Sequence, residues 1–501
     1  MQDVIDIESY KNNIIGNEQS VQQLYELALK IEQEYNQKCY PLVRAFLPTQ
    51  ELEPEDATVF IKVVGGFIEK LDLSQVPASQ LLRTYAYLKP LIEKKGLRLE
   101  EIERKLLLAE GTAGLNLTST LFPGDKEGGT VLAIQATHKL ISGGMTFDNT
   151  QSEELGRQQG QLSAVFNSPF GLGESISLFG LARPTIKGMK GTGLDTPIRA
   201  GGVSVSVPVG HNGLTAGVSY MESMTRPGGA ASSLALEANM KSATGTISYP
   251  IHYSRNTAAF LRASLGWTDE VQHTNTSGED EDLSHDRVTT LRFGASVNQC
   301  KSGCLGLDFQ FSRGIDVGSR SHNEAGNGTP LSRSEGKTNF SHFNFNTNYK
   351  FSPVDNYEVD LNAGGQYSLD DLLNSEQTSI TGSNKLSGFT SGSISGDEAW
   401  YIRGQLNRHY NVSNQIKLTP YVYGAAGVAY TLSPTTVEER ATAAKSIGLG
   451  MKFQGLDKLF FQKTISGKVE YSKNWATGKL EDLSDVRLRK QHLLVLLAMN
   501  F

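Results

Sequence analysis

Cys300 and Cys304 are the residues whose type and spacing point most directly to a bond. In an oxidising compartment, a Cys-x3-Cys unit in the short segment QCKSGC (299–304) closes a small loop as a disulfide. A metal pair there lacks further ligands, the nine histidines are scattered, and three cysteines cannot furnish a four-thiolate zinc site. Cys39 is left over and is expected to be buried without a partner. No HExxH helix, GxSxG elbow or Walker A sequence occurs, so no catalytic residue, metal or cofactor is assigned. The acidic run Glu279, Asp280, Glu281, Asp282 could attract calcium, but a solvated outer loop explains it more simply. Bond-making chemistry ends there.

The elements that position these residues divide the 501-residue chain in two. Residues 1–139 hold nine of the 51 glycines and read as mixed α/β; the remainder is Gly-, Ser-, Thr- and Asn-rich and reads as all-β. Val21, Leu24, Ala28, Ile31 and Tyr35 form the apolar stripe of one helix. Segments 4–9, 40–48 and 57–64 are expected as strands around it. The order then repeats: a strand at 67–73, helices at 78–95 (broken near Pro90) and 97–110, and strands at 115–122 and 130–137. Two modules, 1–65 and 66–139, are expected ahead of a domain spanning 140–501.

That domain contains sixteen period-2 segments. GGVSVSVPV (201–209) is typical: Val203, Val205, Val207 and Val209 line one face and serines the other, the apolar-out, polar-in pattern of a membrane barrel strand. Links after even-numbered strands are short; most after odd-numbered strands are long and polar, as at 183–200, 269–285, 315–338 and 369–398. Outer-membrane barrels alternate in this way, with tight turns on one side and large loops on the other, whereas sandwiches do not. Leu493, Val495, Leu497, Met499 and Phe501 alternate to the last residue, and this ending looks like a barrel-assembly signal. No apolar stretch approaches a transmembrane helix. The net charge of −6 calls for no nucleic acid. MQDVIDIESY lacks the basic start and apolar core of a signal peptide.

Two helix-and-sheet modules ahead of sixteen strands resemble the POTRA-barrel superfamily, specifically the ShlB/FhaC/HecB-type transporter of two-partner secretion. YPLVRAFLPTQEL (40–52), VFIKVVGGFIEKLDL (59–73), LEEIERKLLLAEGTAGLNLTSTLFPG (99–124), NSPFGLGESISLFGL (167–181) and SYPIHYSRNTAAFLRASLGW (248–267) carry the resemblance. It implies a pore in the bacterial outer membrane, embedded in lipid, whose periplasmic POTRA modules capture one large unfolded exoprotein (an adhesin, hemolysin or similar), the barrel-assembly machinery serving its biogenesis. It implies neither an enzyme nor a cofactor. An insertase for other barrels, a passive porin and a secreted sandwich adhesin are the competing readings. Capture by β-augmentation places the contact on edge strands, here Tyr40, Leu42, Arg44 and Phe46, and Leu115, Leu117 and Ser119.

The resemblance also implies a sixth outer loop (369–398) folded into the barrel, its tip being Leu386, Ser387, Gly388 and Phe389. The family's tip arginine falls on Ser387. Its acidic partner, on the thirteenth strand, falls on Ala425, near Gly427. Both charges are missing together, so no ion pair is expected at the tip; the loop is expected either to be held by packing of Phe389 with backbone hydrogen bonds from the glycine-rich tip or to be mobile. A leader, plug helix and linker are expected to have been trimmed ahead of the first module, with Met1 added.

Overall fold

The computed structural model describes residues 4–12, 14–50, 58–183, 196–228, 233–276, 281–320, 328–436, 438–457, 463–477 and 491–501. Near the N-terminus, α2 (Val21–Gln37) begins at a capping box. The Ser20 hydroxyl accepts from the Gln23 N–H (3.2 Å), and the Gln23 side chain accepts from the Ser20 N–H (2.6 Å). Its expected stripe is buried at Leu24, Ala28, Ile31 and Tyr35. The expected strand at 4–9 is instead the approach to a helix, α1 (Ile7–Asn12). Ile7 and Tyr10, three residues apart, share a face and pack with Ile5 against Ala28, Ile31 and Tyr35. The expected strand at 40–48 contracts to β1 (Arg44–Phe46), because Cys39 turns the chain at φ 67° and Tyr40–Leu42 precede the strand around Pro41, which cannot donate. β1 pairs antiparallel with β2 (Lys62–Val64).

Next come β3 (Phe67–Gln75), α3 (Ala78–Leu88), α4 (Leu99–Glu110), β4 (Leu115–Pro123) and β5 (Gly129–His138). α3 stops where Pro90 enters a 3-10 turn (Lys89–Leu91). The sheet order is β3-β5-β4, so β4 is an edge, paired on one side with β5. Ile68, Leu88, Leu91, Leu97, Leu132 and Ile134, each at most 2% exposed, fill the space between sheet and helices.

Sixteen strands follow, counted here from one to sixteen. They are Ile141–Asp148, Gln159–Asn167, Ser175–Ala182, Ile198–Val209, Leu214–Thr225, Leu236–Tyr253, Thr257–Thr274 and Glu281–Cys300. The second eight are Gly303–Ile315, Ser341–Phe351, Tyr357–Ser368, Glu398–Arg408 (continued by Tyr410–Ser413), Ile416–Tyr430, Ala441–Asp457, Lys463–Ala476 and Gln491–Asn500. Every neighbouring pair is antiparallel, and strand sixteen pairs with strand one, so the sheet is a closed barrel. Val203, Val218, Ile247, Leu265, Phe293, Val422 and Leu449 are exposed on its outside, as a lipid-facing band requires. Leu493 and Leu497 join that face, and the Phe501 ring lies over Gly143. The serines of strand four face inward, opposite its valines.

The alternation of connections holds with one exception. Strands seven and eight run on to Thr274 and from Glu281, so the long loop expected at 269–285 is reduced to 275–280. Glu281 and Asp282 open strand eight, exposed; Glu279 and Asp280 lie outside the described residues. At the short-turn end, α3 and α4 lie against the turns of strands two to seven. The Gln80 amide is the acceptor for the Ser168 hydroxyl (3.1 Å), and Arg104 donates to the Pro250 carbonyl (2.8 Å). Lys105 donates to His211 O and Asn212 Oδ1 (3.1 Å each), and the Arg255 N–H to Glu103 (3.1 Å). Burial in this joint, with Arg104 nearby, pushes the Lys105 ammonium below the ordinary lysine range.

Cys300 and Cys304 face each other across the Lys301–Ser302 turn and are bonded (S–S 2.12 Å), while Cys39 is free and half-buried. Alkylation of native protein without reductant is therefore expected to modify Cys39 and to spare Cys300 and Cys304. Peptide mass spectrometry checks this, and alkylation of the pair would contradict it.

Candidate functional site: a loop seated inside the barrel

The segment between strands eleven and twelve enters the lumen, and three sets of contacts hold it there. At its outer end, Asp397 is fully buried and accepts from Arg333 (2.6 Å), the Leu372 N–H (3.0 Å) and the Leu432 N–H (2.9 Å). Leu331, Phe340, Leu372 and Leu373 pack with Val288 beside it. Glu376 accepts from Arg292 Nη2 of strand eight (2.7 Å to each oxygen), and His342 of strand ten lies 3.3 Å away. One Arg292 nitrogen, Nη2, thus bridges both carboxylate oxygens in a charge-assisted contact.

Deeper in, Ile380, Leu386, Phe389 and Ile394 pack against Tyr421, Tyr423, Ala425 and Ala429 of strand thirteen and Ala444 of strand fourteen. The tip lies at the far end of that cluster. Ser387 is fully buried; its hydroxyl donates to Glu470 of strand fifteen and accepts from Arg403 of strand twelve (2.5 Å). Arg403 and Glu470 are themselves paired at 3.0 Å. Tyr421 OH donates to Glu470 (2.6 Å), Gln405 accepts from Arg403 (2.9 Å), and the guanidinium lies 3.7 Å from the centre of the Tyr423 ring. Asn474 donates to the Gly388 carbonyl (2.5 Å). A side chain on Gly388 would meet Asn474 Oδ1 at 1.8 Å and would displace the amide that holds the tip.

This corrects the expectation that the tip has no ion pair. Ser387 and Ala425 carry no charge, yet a cation and an anion stand beside the tip, both supplied by the barrel wall. Arg403 is the cross-strand partner of Ala425. Packing of Phe389, 4% exposed, is as expected, and the backbone contact at Gly388 is made by a side-chain amide. Ala425 is in the cluster that receives Leu386 and Phe389, whereas Gly427 lies against Ile380, not Ser387.

The sequence profile of the family described as haemolysin secretion/activation protein ShlB/FhaC/HecB matches residues 128–451, well over half the chain, and that of the ShlB-type POTRA domain matches residues 3–66. The chain belongs to the ShlB/FhaC/HecB family. It is similar to the outer membrane transporter CdiB of Dickeya dadantii (strain 3937), 24% identical over 394 residues, which are 77% of this chain and 66% of that protein. It is also similar to the hemolysin transporter protein ShlB of Serratia marcescens, 24% identical over 407 residues, 79% of this chain and 68% of the relative. The chain thus spans about two thirds of the curated relatives it matches. The solved CdiB from Escherichia coli shares the fold, with a TM-score of 0.75 at 17% identity, covering 99% of this chain and 88% of that one.

At the expected capture strands, Leu42 is core, 5% exposed, and β1's Ala45 N–H is taken by Glu32 (3.2 Å). Tyr40 is half-buried, Phe46 is exposed, and Arg44 pairs with Glu32 (2.6 Å). Leu115 and Leu117 point into the second module's core, and Ser119 is exposed on the β4 edge.

Arg403 and Glu470 escaped the sequence reading. The available signal is parity: each sits between outward apolar residues, Arg403 beside Ile402 and Glu470 between Val469 and Tyr471. Parity says a charge faces the lumen but not which charge it meets. Arg403→Ala or Glu470→Ala leaves its partner buried and is expected to destabilise the barrel by roughly 3–5 kcal/mol. Ser387→Ala leaves the pair intact and should cost about 2 kcal/mol. Arg403→Met with Glu470→Met together should recover most of the loss. Heat-modifiability midpoints in detergent measure all four, and equal losses for Ser387→Ala and Arg403→Ala would refute this hierarchy.

Proposed function

We propose that this protein is the outer-membrane pore of a two-partner secretion pair, exporting one large, unfolded exoprotein to the cell surface. The observation that carries the reading is a sheet with an open edge, β4, docked beneath a closed barrel of sixteen strands, in a chain of this transporter family. The domain division is 1–65 and 66–139 for two periplasmic POTRA modules and 140–501 for the pore. A barrel of this strand number has room for an aqueous channel, and loop 369–397 occupies part of it. Proteins named as relatives are a hemolysin transporter and an outer membrane transporter, which supports an adhesin-, toxin- or hemolysin-like cargo here. Lipid contacts the apolar belt, and the barrel-assembly machinery reads the last strand through Leu493, Val495, Leu497, Met499 and Phe501.

Capture is best supported at β4, where the outer row of N–H and C=O groups has no strand beside it among the described residues. With Leu115 and Leu117 turned to the core, β4 would hold the incoming chain by its backbone, and Ser119 would add a side-chain contact. Such recognition is tolerant of sequence. That suits a receptor for a long unfolded chain.

Deleting the gene and following the large β-rich protein encoded beside it tests the reading. Its loss from the surface, restored by the intact gene, is expected; an unchanged surface level would sink the proposal. Thr118→Pro and Ser119→Pro refine the test. Successive residues of an edge strand point their N–H groups to opposite sides. One variant therefore breaks a bond to β5 and weakens the module. The other keeps the ladder to β5, removes an outward N–H together with its own hydroxyl, and should weaken capture at least roughly fivefold, the worth of about 1 kcal/mol, with the smaller loss of stability.

A further inference from the structure

The lumen has two unlike halves. Among the described residues, strands two to six send no charged side chain inward. Arg199, Glu222, Glu237 and Lys241 all fall on the same alternation as the outward Val203, Val218 and Ile247. The inward positions instead carry uncharged side chains, among them the hydroxyls of Ser163, Ser177, Ser204, Ser206, Thr244 and Thr246, with Phe179, Met221 and Met240 as larger members. The other half is charged: Arg262 is paired with Asp308, Arg292 with Glu376, Lys350 with Asp360 and Arg403 with Glu470, while Lys417 and Lys452 face the lumen without an ion pair among the described residues. Loop 369–397 is seated on that charged half, against strands eight, ten and twelve to fifteen, and its Ser391 N–H reaches Thr150 O, in the connection between strands one and two (2.9 Å). The hydroxyl wall lies outside its seat. At the periplasmic end, the second module docks on the turns of strands two to seven, directly beneath that wall.

We propose that the uncharged wall of strands two to six is the track along which an extended polypeptide crosses the barrel, while the loop keeps its seat opposite. This rests on the export reading above. The physical reason is that a long unfolded chain presents both signs of charge in turn. In a confined lumen a fixed wall charge binds one sign and repels the other by several times what it would in bulk water, so every passing ion pair is a trap. Hydroxyls donate and accept with equal ease, and each hydrogen bond made is exchanged for another at little net cost. Continuity with the docked module gives the chain a direct passage from capture edge to track.

The test uses the full chain with Cys39→Ser, reconstituted in lipid vesicles, with one cysteine added at a time. Ser204→Cys and Thr246→Cys lie on the track, and Asn346→Cys, on strand ten, is an exposed lumen position of the other half. The probe is an uncharged peptide of Gly, Ser, Asn and Gln with one central cysteine, about 30 residues long and so roughly 100 Å when extended. Disulfide trapping under mild oxidation is quantified by mass, against modification of the same sites by a small thiol reagent. Trapping about tenfold higher at positions 204 and 246 than at 346, the ratio given by a preference of about 1.4 kcal/mol, is expected. Equal trapping, or more at 346, would overturn the track and leave the export pore standing. No trapping at any site, with the small reagent reacting at all three, would overturn both.

Discussion

Closure is the constraint on which the rest of this structure depends. A strand in lipid cannot leave its N–H and C=O groups unpaired, so a membrane sheet must bond its last strand to its first. Here strand sixteen meets strand one over five paired positions, from Leu496 with Asp148 to Asn500 with Gly144. Strands four and five, by comparison, share a ladder twelve positions long. Reciprocal bonds between Gly143 and Phe501 (2.9 Å each) extend the seam at one end. At the other, the Asn149 side chain stands in for backbone: its amide donates to Leu493 O and its oxygen accepts from the Val495 N–H, both at 2.8 Å. The C-terminal residues therefore complete the ladder that makes the pore possible.

Closure has a second consequence. It assigns every alternate residue to lipid or to lumen, and the lumen of a sixteen-stranded barrel is too wide for side chains alone to fill. The inserted loop fills part of it and brings its own apolar cluster inside a polar channel. Burying Ile380, Leu386, Phe389 and Ile394 against two tyrosines and three alanines gives the loop a core of its own. Its polar backbone still needs partners at that depth. Asn474, Ser472 and the Arg403–Glu470 pair are placed where the tip arrives, and Gly388 lets it come close enough to meet them.

Much of this was legible because alternation is a local property. Val203 to Val209 announce their strand and its outward face without any knowledge of neighbours, and the long and short links give the sense of each strand across the membrane. Helix stripes were equally plain at Leu24 to Tyr35. The N-terminal segment failed for the opposite reason: Ile5 and Ile7 fit the two-residue period of a strand, Ile7 and Tyr10 the spacing of a helix, and the helix is the one that packs on α2. The outer extents of strands seven and eight were hidden because HTNTSGEDEDLSHD reads as a polar loop, whereas two paired strands rising above the membrane tolerate such residues on both faces. The lock was hidden for a different reason. Arg403 and Glu470 are 67 residues apart and on strands that are not neighbours, so nothing local relates them.

Where the charges reside changes what the loop costs to move. If a buried arginine stood on the tip itself, withdrawing the tip would separate it from its acid and strand at least one charge in the lumen, a penalty of several kcal/mol. Here both charges belong to the wall. Removing the tip breaks two hydrogen bonds to the Ser387 hydroxyl, one to the Gly388 carbonyl, and those that Arg403 and Lys468 donate to the Lys385 and Ser383 carbonyls just before it (3.2 and 3.0 Å), and it uncovers Phe389. The Arg403–Glu470 contact survives, still supported by Tyr421, Gln405 and the face of Tyr423. The tip is therefore held by short-range contacts that vanish within a small displacement, with no long-range attraction to draw it back. A serine at the tip and a resident ion pair on the wall together make a catch that is specific in position and modest in strength.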